Sequence, residues 1–503
     1  LQANLGAKSC SPPEAASAIS SISMKILFTG SEMTPLARTG GLGDVLEALP
    51  AALAAHGHEV SVALPCYRGL RDDARLGVRS TGVEIGVQVG SKRLPAEILE
   101  CRAPNGVQVF LIRRDEYFDR TGLYGSEGRA YEDNAERFIY FSKAVLELAR
   151  RILPPPEILH VNDWQTALIP VLVKERRLPF KTVLTVHNLA YQGNFWGIDF
   201  GLTNLPGEYF SAKGVEFYGQ LNLLKGGILH ADAITTVSER YAQEIQTPEH
   251  GCGLDAVIRE HCKKLTGILN GADYEVWNPA SDSLLPQTYT ATALEGKKKC
   301  RAALLSAMGL EGSPSGPVFA IVSRLAEQKG FDLLFPLLDR LLADDVRLVI
   351  LGEGETDYER ELLIASRRHA GRFAYRRGLD ESFAHLCYAG ADAFLLPSHF
   401  EPCGLSAMYA LKYGALPIAR ATGGLYESIQ DYDPTNESGN GILFFDYHPE
   451  AFWDAMTRAK RYFAEPKVWR PLVHRAMASD FSWEKGVARY EAIYDRLFRK
   501  GAR

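Results

Sequence analysis

The sequence predicts an α/β protein built from two doubly wound domains, each a mostly parallel sheet with helices on both faces. Three observations carry that reading. From Lys25 onward, short apolar runs of strand length alternate with amphipathic helical stretches. The alternation starts afresh after a proline-bearing segment near mid-chain. The length, 503 residues, exceeds what one ordinary core accommodates.

In the first half, Ile26-Leu27-Phe28 opens the pattern, followed by a Gly-rich loop and a helix over Asp44 to His56. His58 to Leu64 reads as the next strand. Val107 to Ile112, Ile158 to Val161, Thr182 to Val186 and Ala233 to Val237 are further buried strands, with helices such as Asn134 to Ala149 between them. Asn278 to Pro317, which carries Pro279, Pro286, Pro314 and Pro317, reads as a connection with one helix, Glu295 to Met308. The second half brings strands at Val318 to Val322, Arg347 to Leu351, Phe373 to Tyr375, Ala393 to Leu396 and Leu416 to Ile418. Trp483 to Lys500 has apolar residues at helical spacing and reads as a terminal helix. The expected division is 24–266, 267–480 and a helix over 481–503 that packs back on the first domain.

Residues 1–23 are rich in Ser and Ala, hold Pro12-Pro13 and show no sustained period, so they read as disordered. Met24 stands directly before the first strand. The extension reads as either an upstream translated remnant or the tail of an organelle-targeting sequence.

Composition narrows the function classes. An apolar fraction of 46% with 23% charged residues is that of a globular protein. A net charge of −5 gives no footprint for nucleic acid. No run approaches the ~18 apolar residues of a membrane span. The eight cysteines show neither a C-x-x-C pair nor metal-finger spacing, as in a reducing compartment. The expected setting is therefore soluble and intracellular.

In doubly wound sheets, ligands bind beyond the carboxyl ends of strands, so function should be written in the loops there. Arg38-Thr39-Gly40-Gly41-Leu42-Gly43-Asp44 follows the first strand. It offers adjacent glycines, a helix start and a cation to an anion, or it is simply a tight turn. A second Thr-Gly-Gly-Leu stands at 422–425. Arg324 and Lys329 lie just past Val318 to Val322, where a phosphate group needs compensation; the alternative is a solvated helix start. In Phe400-Glu401-Pro402-Cys403-Gly404-Leu405, Glu401 sits on a rigid turn before an apolar helix over Ser406 to Tyr413. That places a carboxylate beside free helix N–H groups, as a sugar diphosphate requires, or else forms an N-cap. Cys403 has no base beside it in sequence and reads as a buried thiol more readily than as a nucleophile. Asp163 and His187 close two buried strands; each alone reads as a buried, hydrogen-bonded structural residue, and as a pair at one sheet edge they suggest a site.

RTGGLGDV (38–45), HNLAYQG (187–193), FYGQLNLLKGG (217–227), EIQTPEHGCGLD (244–255), NGADYEVWNP (270–279), SRLAEQKG (323–330) and FEPCGL (400–405) occur in one order. From Met24 to the C-terminus the chain thereby resembles the bacterial glycogen synthase and plant or algal starch synthase family. The resemblance implies a GT-B glycosyltransferase fold of two Rossmann-like domains facing across a cleft that holds the donor. It also implies retaining transfer of glucose from ADP-glucose to an α-1,4-glucan, with no metal or other cofactor. Position by position, Glu401 binds the donor glucose hydroxyls, Arg324 and Lys329 bind the diphosphate, and Asp163 and His187 are first-domain counterparts. Arg38, Thr39, Gly40, Gly41 and Asp44 face the phosphates. Asn188, Asn270, Cys403, Gly404, Leu405 and Ser406 complete the expected substrate contacts. Arg38 stands where the family usually has Lys, and Leu379 where many bacterial members stack a Tyr on adenine. The compartment the resemblance implies is bacterial cytoplasm, or plastid for a plant or alga. Rival readings are a related transferase with a small-sugar acceptor and a non-catalytic glucan-binding protein.

Overall fold

The computed structural model describes residues 23–499 apart from 127, 311, 313, 314 and 379. The expectations for residues 1–22 and for Leu379 lie outside the described residues.

The chain divides into two units. The first comprises Leu1–Val237, Ala242–Ile268 and Glu484–Arg503, the second Ser238–Tyr241 and Leu269–Trp483. In the first, β1 (Lys25–Thr29), β2 (Glu59–Pro65), β3 (Arg79–Val89), β4 (Lys92–Arg102), β5 (Gln108–Arg113), β6 (Ile158–Asn162), β7 (Lys181–Val186), β8 (Ala233–Thr236) and β9 (Leu265–Gly267) form one sheet. Its order is β9-β8-β7-β6-β1-β2-β5-β4-β3. The pairs from β9 to β5 are parallel, and β5-β4 and β4-β3 are antiparallel. β1 and β6 are buried almost throughout, which is why they read as continuous apolar runs.

In the second unit, β10 (Val318–Val322), β11 (Arg347–Gly352), β12 (Phe373–Arg377), β13 (Ala393–Leu396), β14 (Leu416–Arg420) and β15 (Ile442–Phe444) pair in the order β12-β11-β10-β13-β14-β15. Every pair is parallel. The order reverses direction at β10 and β13, so the loops after those two strands flank the topological switch point.

Five helices matter below: α1 (Gly41–Ala55), α2 (Asn134–Ala149), α3 (Leu405–Lys412), α4 (Gly423–Ser428) and α5 (Glu484–Arg499). Two departures from the sequence reading have physical causes. α1 begins three residues before the expected Asp44, because Gly41-Leu42-Gly43 form its first turn. The β3–β4 hairpin, joined by Gly90-Ser91, was not anticipated. Its alternation is broken by Gly82, Gly86 and Pro95. The 278–317 segment, with a helix at Glu295–Ala307 close to the expected bounds, packs into the second unit. Lys297 Nζ donates to the carbonyls of Ala389, Ala391 and Tyr413 at 2.8–3.0 Å, and Tyr289 Oη–H also donates to Tyr413 O.

Candidate functional site

In the first unit, Gly30 follows β1 and the chain turns through Ser31 and Glu32, both buried. Glu32 organises the Gly-rich loop. Its Oε2 accepts from Thr39 N at 2.7 Å and Gly40 N at 3.0 Å, and its Oε1 accepts from Thr39 Oγ1 and Tyr124 Oη, each at 2.7 Å. Sequence reasoning missed this carboxylate, because its task is set by how the loop folds back. The same geometry corrects the simple picture of the loop. The Thr39 and Gly40 amides are committed to Glu32, so the N–H groups left for an anion belong to the first turn of α1. Arg38 pairs with Asp44, Nε to Oδ1 and Nη2 to Oδ2 both at 3.2 Å, and Thr34 Oγ1 also donates to Asp44 Oδ1. Asp44 thus holds the cation at the helix start, where a carboxylate also suits the dipole.

The edge formed by β6 and β7 brings Asp163 and His187 together. Asp163 Oδ1 accepts from the backbone N–H of His187 at 2.7 Å. Asn162 Nδ2 donates to Thr29 O, so its Oδ1 is the acceptor for His187 Nε2–H at 2.9 Å. That fixes the imidazole tautomer and leaves Nδ1 as an acceptor. Burial pushes the Asp163 carboxyl up to about 7 despite backbone hydrogen bonds from His187 and Asn188 that oppose the shift. Burial lowers His187 to about 3, so the ring is neutral. Asp163 also takes positive φ, 54°, a conformation Asp tolerates better than most residues. Asn188 turns its Oδ1 to its own loop, accepting from Ala190 N at 3.0 Å.

In the second unit, Arg324 lies exposed at the carboxyl end of β10, and Lys329 closes a short turn, Glu327–Lys329. Lys329 Nζ meets Glu401 Oε2 at 2.6 Å, and Ser398 Oγ donates to the same oxygen at 3.1 Å. The loops carrying them are tied by Gln328 Nε2 to Phe400 O and by His399 N to Gln328 O. Gly330, at φ 72°, is needed because a Cβ there would overlap Pro397 O. The second Thr-Gly-Gly-Leu has a packing task unlike the first. Gly423 and Gly424 press α4 against the carbonyls of Glu401 and Cys403, and Gly424 N donates to Glu401 O at 3.0 Å.

Gly404, at φ 81°, caps α3, whose first turn holds Leu405 and Ser406 at intermediate exposure. Burial raises the Cys403 thiol far above its ordinary range, so it stays protonated, and Asn270 hydrogen-bonds it. Asn270 Oδ1 and Ser323 Oγ are buried without a hydrogen-bond partner among the described residues. Orphaned polar atoms of this kind fit a site that a hydroxylated ligand completes. Among the described residues no group of three or more His, Cys, Asp or Glu is placed to hold a metal ion, and no helix is long and apolar enough to cross a membrane.

Residues 25–260 match the family model for the starch synthase catalytic domain, and residues 311–462 match that for glycosyl transferases group 1. A glycogen synthase of Anaeromyxobacter sp. (strain Fw109-5) is 44% identical over 481 residues, covering 94% of this chain and 99% of the relative. A glycogen synthase of Opitutus terrae is 43% identical over 477 residues, at the same coverage. The catalytic domain of starch synthase IV from Arabidopsis thaliana, solved with ADP and acarbose bound, superposes with a TM-score of 0.88 at 33% identity, over 95% of this chain and 99% of that one. Sucrose-phosphate synthase from Thermosynechococcus elongatus shares the fold at a TM-score of 0.60 and 17% identity, over 94% of this chain and 99% of that one.

Proposed function

The chain belongs to the glycogen synthase and starch synthase family of GT-B glycosyltransferases and lengthens an α-1,4-glucan with glucose from ADP-glucose; we propose that the side chains beyond the carboxyl ends of the strands in each unit carry this transfer. The observation that supports these roles best is the Lys329–Glu401 pair at the switch point of the second sheet. A lone carboxylate held by a lysine at 2.6 Å beside a helix N-terminus suits a ligand with sugar hydroxyls at one end and a diphosphate at the other.

In this reading Glu401 accepts from hydroxyls of the donor glucose. Lys329, Arg324 and the first amides of α3 take the diphosphate as it leaves, stabilising charge that develops in the transition state. The departing phosphate accepts the proton of the acceptor hydroxyl on the same face of the sugar, so the anomeric configuration is retained. Neutral His187 offers Nδ1 to a sugar hydroxyl, and Asp163 holds the backbone of its turn. Arg38 and the first turn of α1 face the phosphates once Asp44 shares the cation. Asn270 and Ser323 supply acceptors for ligand hydroxyls.

The test is incorporation of radiolabelled glucose from ADP-glucose into glycogen. Lys329→Ala is expected to lower kcat by about 10²–10³, the scale of one lost transition-state donor. Near-normal turnover in a folded Lys329→Ala protein removes the role given to this lysine.

A further inference from the structure

The first unit displays an apolar patch that the transfer chemistry does not use. Trp196 is 76% exposed, and Ile198 and Tyr218 are each 87% exposed. They flank a small antiparallel sheet of Asn194–Phe195, Gln220–Asn222 and Glu216–Phe217: Trp196 follows its first strand, Ile198 lies in the helical turn Gly197–Asp199, and Tyr218 lies in the hairpin turn. The two loops touch closely, for a Cβ on Gly197 would lie 2.6 Å from Gly219 O.

Tyr218 is out of place by local rules. Glu216–Phe217 and Gln220–Asn222 are joined by only Tyr218-Gly219, and both residues have positive φ, 49° and 77°. A two-residue hairpin with that backbone favours Asn, Asp or Gly at its first position, and a bulky ring there is strained. Gly219 N donates to Glu216 Oε1 at 2.7 Å, which holds the turn. Tyr218 meets the ring of Phe217 edge-on at 4.7 Å yet stays 87% exposed, and a strained aromatic this exposed, on a loop that touches the one following Trp196, points to a ligand.

We propose that Trp196, Ile198 and Tyr218 form a platform on which an α-1,4-glucan chain stacks, away from its reacting end. The proposal rests on the glucan-lengthening function. Aromatic rings cover the apolar faces of pyranose rings, while the exposed neutral amides of Asn194 and Gln220 on the same small sheet suit hydroxyls. Charge points the same way. Between Lys181 and Lys213 the sequence has neither Lys nor Arg, whereas Asp199 and Glu208 are acidic. That is a poor surface for anionic lipid or nucleic acid and a suitable one for a neutral polymer. Trp164, the residue after Asp163, packs edge-to-face on Phe195 at 5.5 Å, which ties the small sheet to that segment.

The experiment uses the full chain with Trp196→Ala and Tyr218→Asn, read by electrophoretic retardation in glycogen-containing gels and by kinetics on glycogen and maltotriose. Each variant is expected to weaken retardation and raise KM for glycogen about three- to tenfold. KM for ADP-glucose and kcat on maltotriose should stay within twofold. Asn suits the turn better than Tyr, so Tyr218→Asn should raise the melting temperature while losing glycogen affinity. A merely structural Tyr218 would give a lower melting temperature and unchanged retardation, which overturns the proposal. So does a fall in apparent mass on gel filtration, which would make the patch a contact with a second copy, or binding of wild type to neutral or anionic vesicles that the variants lose. Retardation needs no turnover. Wild type that is retarded yet transfers no glucose therefore counts against the function, and active wild type whose variants are retarded normally counts against the platform.

Discussion

At the scale of single residues, Asp163 and His187 have environments that push their protonation far from ordinary values, in ways that experiment separates. His187 at about 3 keeps one charge state across the working range, so any titration near neutrality belongs elsewhere. Asp163, pushed up to about 7 by burial, titrates there. Its ionised form has both oxygens free to accept the backbone N–H groups of His187 and Asn188. kcat/KM is therefore expected to fall as pH drops below about 7, and Asp163→Asn should be slower and lack this inflection. The stability linkage has the opposite sign. The folded-state value lies above the unfolded one, near 3.9, so the native state holds its proton longer, and wild type loses stability as pH rises between the two values. The stability of Asp163→Asn relative to wild type should consequently grow from pH 5 to pH 8 in urea titrations. A constant difference would mean that Asp163 does not titrate in that range.

At the scale of elements, glycines set the geometry of the loops that follow strands, and two of them separate folding from ligand approach. Gly330 takes φ 72° and faces Pro397 O, so Gly330→Ala is strained in backbone and contact alike. A loss on the order of 2–4 kcal/mol is expected, with falling activity as Lys329 leaves Glu401. Gly40 is the reverse, with an extended backbone at φ −164° and nothing within 4 Å of a Cβ. Gly40→Ala should melt within about 2 °C of wild type, so any large rise in its KM for ADP-glucose reports ligand approach alone. A Gly40→Ala protein that melts far lower would refute this division of labour.

What was legible in the sequence follows the same logic. Asp163 and His187 close neighbouring apolar strands, and FEPCGL lies shortly beyond another, so strand period located these positions, while their expected roles came from the family resemblance. Glu32 and the task of Gly423 and Gly424 were not legible, because each acts on a backbone segment brought to it only by the tertiary fold. The strands flanking Tyr218 are two and three residues long, too short to show a period.

At the scale of the whole molecule, the last helix of the chain completes the first unit. α5 buries Val487, Tyr490, Ile493, Tyr494 and Leu497, a helical stripe that was readable from spacing. Its polar anchors were not readable. Tyr494 Oη meets His160 Nδ1 at 2.7 Å, His160 Nε2 meets Thr185 Oγ1 at 2.6 Å, and Thr185 meets Thr235 Oγ1 at 2.6 Å, so the helix is hydrogen-bonded across β6, β7 and β8. Met24 N donates to His58 Nδ1, which leaves Nε2–H for Glu491 Oε1 at 3.2 Å. Burial lowers His160 to about 3, so a charged imidazolium will not compensate for a lost partner at neutral pH. Tyr494→Phe keeps the ring and removes the hydroxyl, leaving a buried ring nitrogen unsatisfied at a cost of about 1–3 kcal/mol. Hydrogen exchange resolves where that cost falls. Protection of β6 through β8 should drop in Tyr494→Phe, while β10 and β13 in the second unit exchange as in wild type. Equal loss in both sheets would mean that the helix does not stabilise the first unit selectively, and unchanged protection would mean that the His160 contact contributes nothing to holding it.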